Sequence, residues 1–441
     1  MPQIGHVLMV WERIGIGDGR KMTTQFLICC RASARFFAGF ALVLCASICM
    51  QTTALPDSNR RSSPVLNPAH FIHPDVEHRG IAFLPQTDFS AYSRAEGVTE
   101  NETVLTSPEL TTTLPANEII VSWNATTPPG TGIVVEARAF LADGHSTKYY
   151  TLGRWSLDGK ALPRTSVANQ RDADGDVHTD TLALNHPAVR VQLRVTLHGS
   201  IREKSGDEDQ TAAQERADKP QMQIPEVHFL GVLLTDTHAA PTPLLPNKKA
   251  WGESAEIAVP GRPQTGYPGA NGWCSPTSTA MVLAYWSKSL NRPELNVPVP
   301  DAAHAIYDTL YDGTGNWPFN TAFAGSFSGI RAYVTRFSDI RELEEWIAAD
   351  LPVVVSVSYD LLKGKAKDED PGHLMVCVGF TDTGDIVLND PAHHPEKGEV
   401  CRRVFSRANF LKGWSRSHNL VYLIYPTGTK TPTDTYGHWS R

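Results

Sequence analysis

The sequence of 441 residues has few cysteines, and more than half of them lie in a segment that we expect to be removed. Four of the seven cysteines precede residue 55, so Cys274, Cys377 and Cys401 remain. Three cysteines leave at least one free thiol and cannot form a disulfide framework. Cys377 and Cys401 either pair with each other or pack as two thiols. No cysteines and histidines have the spacing of a zinc site, and we expect neither a metal nor a cofactor.

The chain also lacks an excess of positive charge and a long apolar run near its start. Its formal net charge is −7, which argues against nucleic acid as a partner. The apolar run at 36–50 follows Arg31 and Arg35 and precedes small residues, and it is short for a membrane span. This order predicts a signal peptide. We therefore expect a secreted, periplasmic or cell-envelope protein. The alternative is that the segment stays uncleaved as an anchor. Translation starts at Met1 or at Met22.

Proline-rich segments divide the rest of the chain into two regions of different character. Residues 81–238 contain short strand-like runs with turn signals between them, which predicts an all-β sandwich or jelly roll. After the proline-rich join, helical and strand patterns mix, which is typical of an α+β domain. Two of these helices are predicted at residues 301–311 and 338–349.

We therefore expect six segments along the chain. They are an N-terminal extension with signal peptide (1–54), a linker (55–80), a β-sandwich domain (81–238), a Pro-rich linker (239–250), an α+β domain (251–428) and a C-terminal tail (429–441). The charged stretch at 202–219 reads as a mobile insertion. Every candidate for chemistry lies after the second linker, so we expect residues 246–441 to fold alone. A monomer is expected, with a cell-wall or cell-surface ligand as a candidate partner of the β domain.

An acidic turn in the β region resembles the start of a calcium loop. Its sequence is Asp172-Ala-Asp-Gly-Asp176. The EF-hand pattern then requires glycine where Val177 stands and a late glutamate where Ala183 stands, so we reject an EF-hand. A generic calcium turn stays as the alternative to an acidic solvated turn, which we favour.

Cys274 stands directly before an apolar segment that reads as a helix. Pro276 suits a first helical turn, and we expect Ser275, Thr277 and Ser278 to bind the free amides there. A thiol at a helix N-terminus lies at the positive end of the helix dipole, which favours the nucleophilic thiolate. For a lone cysteine, a small buried residue that only packs is the alternative.

Two further residues favour a reactive Cys274 over a cysteine that only packs. His373 begins a predicted strand and Asp390 ends the next one, so a hairpin places them near the same end. Thiol catalysis needs an imidazole to hold the thiolate and a third group to orient the imidazole. Asn389 is the alternative orienting residue, and His393 and His394 compete with His373. The backbone amide of Cys274 and the side chain of Gln264 are candidate donors to an oxyanion.

Residues 262–425 resemble the C39-like cysteine peptidases, a papain-like family. The resemblance rests on Gln264 ahead of Tyr-Pro-Gly269, on Trp-Cys-Ser-Pro-Thr-Ser278, on Gly-Asn-Trp-Pro-Phe-Asn320, on Pro-Val-Val-Val-Ser356, on Gly-His-Leu-Met-Val376 and on Asn-Asp-Pro391. Family members often carry the glutamine about six residues before the cysteine, where this chain has Pro268. The β region also looks like one that precedes such domains in exported bacterial proteins.

The resemblance implies a thiol hydrolase that cleaves peptide or isopeptide bonds through an acyl-enzyme. It implies that Cys274 is the nucleophile, His373 the base, Asp390 the orienting carboxylate and Gln264 the oxyanion donor. The expected substrate is a peptide or protein. Two alternatives stay open, a transglutaminase-like acyl transferase and a non-catalytic binding protein with an idle papain-like domain.

Overall fold

The computed structural model of the protein describes residues 77–160, 162–201 and 222–440. All of them belong to one compact unit that begins at Val65. The predicted signal peptide, residues 55–76 of the predicted linker and the predicted insertion at 202–219 lie outside the described residues. Within the described part of the chain, no helix is long and apolar enough to cross a membrane.

The first region, up to residue 235, is built from strands. They are β1 (Ile81–Gln86), β2 (Ser93–Glu96), β3 (Glu102–Thr106), β4 (Leu110–Thr126), β5 (Gly132–Leu141), β6 (Tyr150–Trp155), β7 (Gly175–His178), β8 (Thr181–His198), β9 (Ser200–Ile201), β10 (Met222–Gln223) and β11 (Glu226–Thr235). Nine of these strands form one branched sheet, in which β8 pairs with β3, β4, β5 and β7. Alternate residues of β8 are buried from Val191 to Leu197, which confirms the predicted period of two.

The second region mixes helices with a six-stranded antiparallel sheet. The helices are α1 (Cys274–Leu290), α2 (Val299–Ile306), α3 (Trp317–Ala324), α4 (Ile340–Ile347), α5 (Tyr359–Leu362) and α6 (Arg407–Trp414), and the strands are β12 (Ile330–Arg336), β13 (Val353–Val357), β14 (His373–Phe380), β15 (Ile386–Asn389), β16 (Arg402–Phe405) and β17 (Leu420–Pro426). The strand order is β12-β17-β13-β14-β15-β16.

One predicted helix is too long, and two helices, α3 and α5, were missed. The helix predicted at 301–311 ends at Ile306, and the chain then turns because Asp308 accepts the backbone N–H groups of Leu310 and Tyr311. Helix α3 was not predicted. Its start is nevertheless marked in the sequence, since Asn316 accepts the N–H of Phe319 as an N-cap and a proline in the first turn is favourable there.

Helix α1 is buried on almost every side, and its hydroxyl groups do not cap it as predicted. Trp273 occupies the N-cap position without a side-chain cap. Ser275 instead shares a hydrogen bond of 2.9 Å with the Tyr422 hydroxyl, and Ser278 donates to the carbonyl oxygen of Leu374 at 3.0 Å. These hydroxyls therefore fix α1 to β17 and β14, because a buried polar group must find a partner.

The two regions share one hydrophobic core, and the first region also covers an edge of the second region's sheet. Strand β12 is an edge strand. The Asn124 amide accepts the N–H of Ala332 and donates to its carbonyl oxygen, and the Ser122 hydroxyl accepts the N–H of Val334. Side chains of β4 thus satisfy the outward backbone groups of β12, which would otherwise form an unpaired edge.

Aromatic rings fill the space between the two regions. Phe83 stacks on Tyr333 with ring centroids 4.5 Å apart, and Trp123 and Trp155 enclose Phe319 at 5.9 and 5.4 Å. Aromatic side chains bury large apolar areas and dominate the energy of such contacts. The contacts argue against the expectation that residues 246–441 fold alone, because that fragment would expose both Tyr333 and Phe319 to water.

The segment predicted as a C-terminal tail packs against the rest of the protein. His438 is fully buried and contacts Glu342, with 2.6 Å between Nδ1 and Oε1. Its Nε2 lies 2.8 Å from the carbonyl oxygen of His78. Trp439 packs edge to face on Trp346. The segment therefore joins α4 to the first described residues of the chain.

Candidate active site

Cys274 is the first residue of α1 and lies beside the head of β14. Only 7% of the residue is exposed. Its thiol interacts with the His373 imidazole and with the backbone N–H groups of Leu374 and Ser275. The bond from Ser278 to the Leu374 carbonyl fixes the distance between helix and strand at this point, so the thiol and the imidazole are held together by the packing of α1 on β14.

His373 and Asp390 form a buried pair. The His373 Nε2 atom lies 2.9 Å from Asp390 Oδ1, and Asp390 is fully buried. Since Nε2 is engaged by the carboxylate, the other ring nitrogen remains for the thiol. The pairing of β14 with β15 places Val376 opposite Asn389, with a bulge between Cys377 and Gly379, and Asp390 follows directly. The structure thus brings Cys274, His373 and Asp390 together.

A second layer of side chains holds the Asp390 carboxylate. The Tyr359 hydroxyl donates to Asp390 Oδ2 at 2.5 Å, and the Arg403 guanidinium lies 3.2 Å from the same oxygen. The N–H of Ala392 donates to Oδ1 at 2.9 Å. The Tyr359 ring also lies over the His373 ring, with centroids 4.5 Å apart. These contacts fix the position and the plane of the His373 imidazole.

The three groups shift one another's ionisation in a consistent direction. Burial raises the pKa of the Cys274 thiol, but the hydrogen bond and charge of His373 outweigh it, and the pKa falls below its ordinary value. Burial lowers the pKa of His373, but Asp390 and Cys274 raise it to about 9. Burial also opposes ionisation of Asp390, yet His373 and Tyr359 hold its pKa below the usual range. All three shifts favour the charged forms, so the site stabilises the thiolate–imidazolium pair relative to the neutral pair.

The alternatives to His373 and Asp390 have other partners. The Asn389 side chain donates to the carbonyl oxygen of Val259 at 3.0 Å, so it holds the chain leading to the site. His393 Nδ1 lies 2.7 Å from the Asp390 carbonyl oxygen. His394 is half-exposed and pairs with Glu396. Their ring contacts turn both histidines to neighbours other than Cys274.

The other two cysteines lack the environment of Cys274. Both are free thiols in the structure. Cys377 is fully buried, and burial raises the pKa of its thiol well above the ordinary value. Burial raises the pKa of Cys401 to about 11. A thiol becomes a good nucleophile only as the thiolate, so these two are expected to react slowly.

Gln264 lies next to the turn that carries Asp390. Its backbone N–H donates to the Pro391 carbonyl oxygen at 2.8 Å. Its Oε1 atom is buried and has no hydrogen-bond partner among the residues that the structure describes. The structure thus brings the Gln264 backbone to the site, while no contact between its side chain and Cys274 is seen in the described part of the chain.

A cleft of about 950 Å³ opens beside Cys274. One side is formed by the residues before Cys274 and by the loop between α2 and α3. In that loop the Thr314 hydroxyl donates to the Gly272 carbonyl oxygen at 2.9 Å. Tyr267 and Trp273 stack with centroids 6.1 Å apart before the cysteine. The cleft gives a large molecule access to a thiol that is itself mostly buried.

The acidic turn of the β region holds its carboxylates with groups of the protein. The Lys148 ammonium lies 2.9 Å from Asp172 Oδ2, and the Tyr150 hydroxyl and two backbone N–H groups bind Oδ1. The lysine already provides the positive charge that a calcium ion would provide. Among the described residues, no group of three or more His, Cys, Asp or Glu side chains is arranged to hold a metal ion.

Tyr359 and Arg403 were not predicted from the sequence. A signal for Tyr359 existed, because it follows the buried strand at 352–358. In the structure that strand pairs with β14, and Val357 lies opposite His373. Tyr359, two residues later, therefore lies over the histidine ring. Arg403 had no local signal, since its position depends on the register of β15 and β16.

Two family models match consecutive parts of the chain. Residues 78–211 match the Peptidase C39 N-terminal domain, and residues 256–422 match the Peptidase_C39 like family. Together the two matches span more than half of the 441 residues. No curated protein matches the chain.

Two solved structures show weak similarity. One is the crystal structure of a protein from Bacillus anthracis that is assigned as a C39-like peptidase, with 18% identity and a TM-score of 0.31; the alignment covers 40% of this chain and 98% of that chain. The other is from the Gx strain of infectious bursal disease virus, with 9% identity and a TM-score of 0.18, covering 36% of this chain and 34% of that chain. Both scores are too low to establish a shared fold. On the two family matches, this chain is a cysteine peptidase whose residues 256–422 form a C39-like peptidase domain, with a C39 N-terminal domain ahead of it.

Proposed function

We propose that the protein hydrolyses peptide or isopeptide bonds through a covalent acyl-enzyme, with Cys274 as nucleophile and His373 and Asp390 as its partners. The observation that carries the proposal is a buried chain of contacts: Asp390 binds His373, and His373 interacts with the Cys274 thiol at the start of α1. A nucleophile, a base and a group that orients the base are the parts that such chemistry requires.

In the first half of the reaction, the Cys274 thiolate attacks the carbonyl carbon of the scissile bond. The carbon becomes tetrahedral, and its oxygen takes a negative charge. When the intermediate collapses, the bond to nitrogen breaks and His373 gives its proton to the leaving amine. A thioester between Cys274 and the acyl group remains.

In the second half, a water molecule attacks the thioester. His373, now neutral, takes a proton from the water, and a second tetrahedral intermediate forms. Its collapse breaks the bond to sulfur, releases the carboxylic acid and returns the thiolate beside protonated His373. Asp390 stays ionised throughout and stabilises the imidazolium each time it forms.

The charge on the tetrahedral oxygen needs hydrogen-bond donors. The Cys274 backbone N–H is suited to this because the first amides of a helix have no acceptor within the helix. We assign the Gln264 carboxamide as the second donor. Its backbone is fixed beside the Asp390 turn and its Oε1 has no partner among the described residues, so its Nε2 can turn to the oxyanion when substrate binds.

Several expectations from the sequence belong to the same proposal. We infer a papain-like α+β layout from α1 packed on the six-stranded sheet, and a β-sandwich in the first region from its long strands β4 and β8. The segment boundaries follow those given above. We also infer export by the signal at 1–54, a monomer, and a cell-wall or cell-surface ligand for the first region.

The proposal is tested by labelling the protein with a broad thiol-protease probe and mapping the adduct. We expect the adduct on Cys274 and none in Cys274→Ala. Transfer to an added amine, measured beside hydrolysis on a cleaved peptide, separates a hydrolase from a transglutaminase-like acyl transferase. A folded protein whose Cys274 does not react would contradict the proposal and favour an idle domain.

A further inference from the structure

The cleft beside Cys274 is lined by both regions of the molecule. The peptidase region supplies the floor around Cys274 and the loop at 311–315. The first region supplies the turn between β7 and β8, together with Glu118 of β4. Glu118 forms an ion pair of 2.7 Å with Arg336 of β12, which also lines the cleft. The first region therefore forms part of the cleft's own surface.

The turn between β7 and β8 is held in a strained conformation. Thr179 has a φ of 61°, a region of the Ramachandran plot that a β-branched residue rarely adopts. Strain of this kind persists only where the surroundings fix it, and it is often found at functional sites. Here the contact of the next residue fixes the turn. Asp180 Oδ2 accepts the N–H of Trp317, at the start of α3, at 2.7 Å.

The opposite rim of the cleft is also fastened by the first region. The backbone N–H and the hydroxyl of Ser166 donate to Asp308 Oδ1 at 2.9 and 3.2 Å. The same carboxylate oxygen accepts the N–H groups that make the chain turn after α2. Arg164 donates to the carbonyl oxygens of His304 and Tyr307. The rim loop then reaches Gly272 through Thr314, two residues before the nucleophile.

We propose that the turn formed by His178, Thr179 and Asp180 is a substrate-binding wall of the peptidase and determines which polypeptides react at Cys274. This rests on the proposed function. His178 is exposed, lines the cleft and makes no side-chain hydrogen bond with another described residue, so its ring is available to a ligand. The cleft volume is at the upper end of the range for ligand pockets, which fits a polypeptide of several residues.

The test compares a small electrophile with peptide-length ones in the full chain. Iodoacetamide reaches Cys274 without using the wall, whereas hexapeptidyl chloromethyl ketones must occupy the cleft. The variants are His178→Ala and Thr179→Gly. Glycine relieves the positive φ, so the second variant removes a side chain from the wall without weakening the fold. The matched control is His186→Ala, an exposed histidine on β8 that does not line the cleft.

Loss of a single polar contact is worth roughly a two- to tenfold change in rate. We therefore expect His178→Ala and Thr179→Gly to change the relative labelling rates of the hexapeptidyl reagents by such factors, with iodoacetamide labelling unchanged and His186→Ala like wild type. Unchanged selectivity in both variants would overturn the proposal that this turn binds substrate, without contradicting the assignment of Cys274 as the nucleophile. Failure of iodoacetamide to select Cys274 in the wild type would instead contradict the proposed function.

Discussion

Two buried histidines of this protein contact a buried carboxylate, in two different regions of the molecule. His373 lies 2.9 Å from Asp390 at the thiol, and His438 lies 2.6 Å from Glu342 near the C-terminus. The second nitrogen of His438 faces the carbonyl oxygen of His78. A neutral imidazole has only one N–H, so the protonated form satisfies both of its acceptors, and the pKa of His438 is raised despite burial.

The difference between the two pairs is what faces the second nitrogen. A backbone carbonyl oxygen can accept a hydrogen bond but cannot lose a proton, so the His438 pair only fastens the chain. The thiol beside His373 can lose its proton and then becomes a nucleophile. A buried histidine with a raised pKa is therefore not sufficient evidence of catalysis; a reactive partner and access through a cleft are also needed.

The largest expected effect comes from removing the histidine at the thiol. His373→Ala removes both the charge that holds the thiolate and the proton donor, and such losses typically cost several orders of magnitude in rate. We expect the variant to fold and to lose hydrolysis. His438→Ala is the matched control: its turnover per folded molecule should stay near wild type, with a lowered Tm. Near wild-type turnover in His373→Ala would refute the assignment of the base.

Separating the two regions tests the shared core. A fragment of residues 246–441 exposes the edge of β12 and the Tyr333 and Phe319 rings. We expect it to be insoluble or to aggregate, whereas residues 65–441, the compact unit, should be soluble and react with the thiol-protease probe. Size-exclusion chromatography and probe labelling measure both. A soluble, reactive 246–441 fragment would show that the peptidase region folds independently.

The layer behind His373 gives a smaller effect. Tyr359→Phe removes the hydroxyl that donates to Asp390 but keeps the ring over the imidazole. One hydrogen bond to a charged group is worth about 1.5–3 kcal/mol, so turnover should fall by roughly ten- to a hundredfold. The turnover of Asp390→Ala should be lower still, and Asn389→Ala should retain activity. If Asn389→Ala is the inactive one, Asp390 does not orient the ring.

Alkylation rates at different pH values test the ionisation of the three thiols. The pKa of Cys274 lies below its ordinary value, and burial raises the pKa of both Cys377 and Cys401. Iodoacetamide should therefore modify Cys274 first at mildly acidic pH, about 5 to 6. His373→Ala should lose that selectivity. Equal rates at the three cysteines, measured by peptide mapping, would contradict the thiolate–imidazolium pair.

The smallest effect is the pH dependence of stability at His438. Its folded-state pKa lies above the unfolded value of about 6.5. The stabilisation is therefore fully present below about pH 6.5 and is lost as the pH rises through the folded-state pKa. The Tm deficit of His438→Gln relative to wild type should be larger near about pH 6 than near about pH 9. A deficit that grows with pH would contradict a protonated His438.

Local patterns in the sequence predicted the parts of the site that depend on short-range order. A cysteine ahead of an apolar helix, a histidine at the head of a strand and an aspartate after the next strand could each be identified within a few residues. The structure brings Cys274, His373 and Asp390 together. The Cα register of the hairpin could not be derived, because the bulge after Cys377 has no marker in the sequence.

Contacts between distant segments could not be predicted from local patterns. The hydroxyls of α1 were expected to cap their own helix, but packing against β14 and β17 offered them other partners. The join at 239–250 was expected to separate two independent domains. The asparagine and serine of β4 that bind β12 are about 210 residues away along the chain, and no local pattern reports such a pairing.

The covering of the β12 edge by Ser122 and Asn124 has a consequence for the order in which the chain is made. Ribosomes produce the N-terminal region first, and regions of a chain generally fold in that order. Strand β4 therefore leaves the ribosome well before β12, and its side chains are in place when the edge appears. The groups that cover the β12 edge therefore precede that edge along the chain, whether the chain emerges from the ribosome or from an export channel, which shortens the time for which an open edge can recruit neighbouring chains. The first region thereby protects the edge of the peptidase sheet from pairing with other chains.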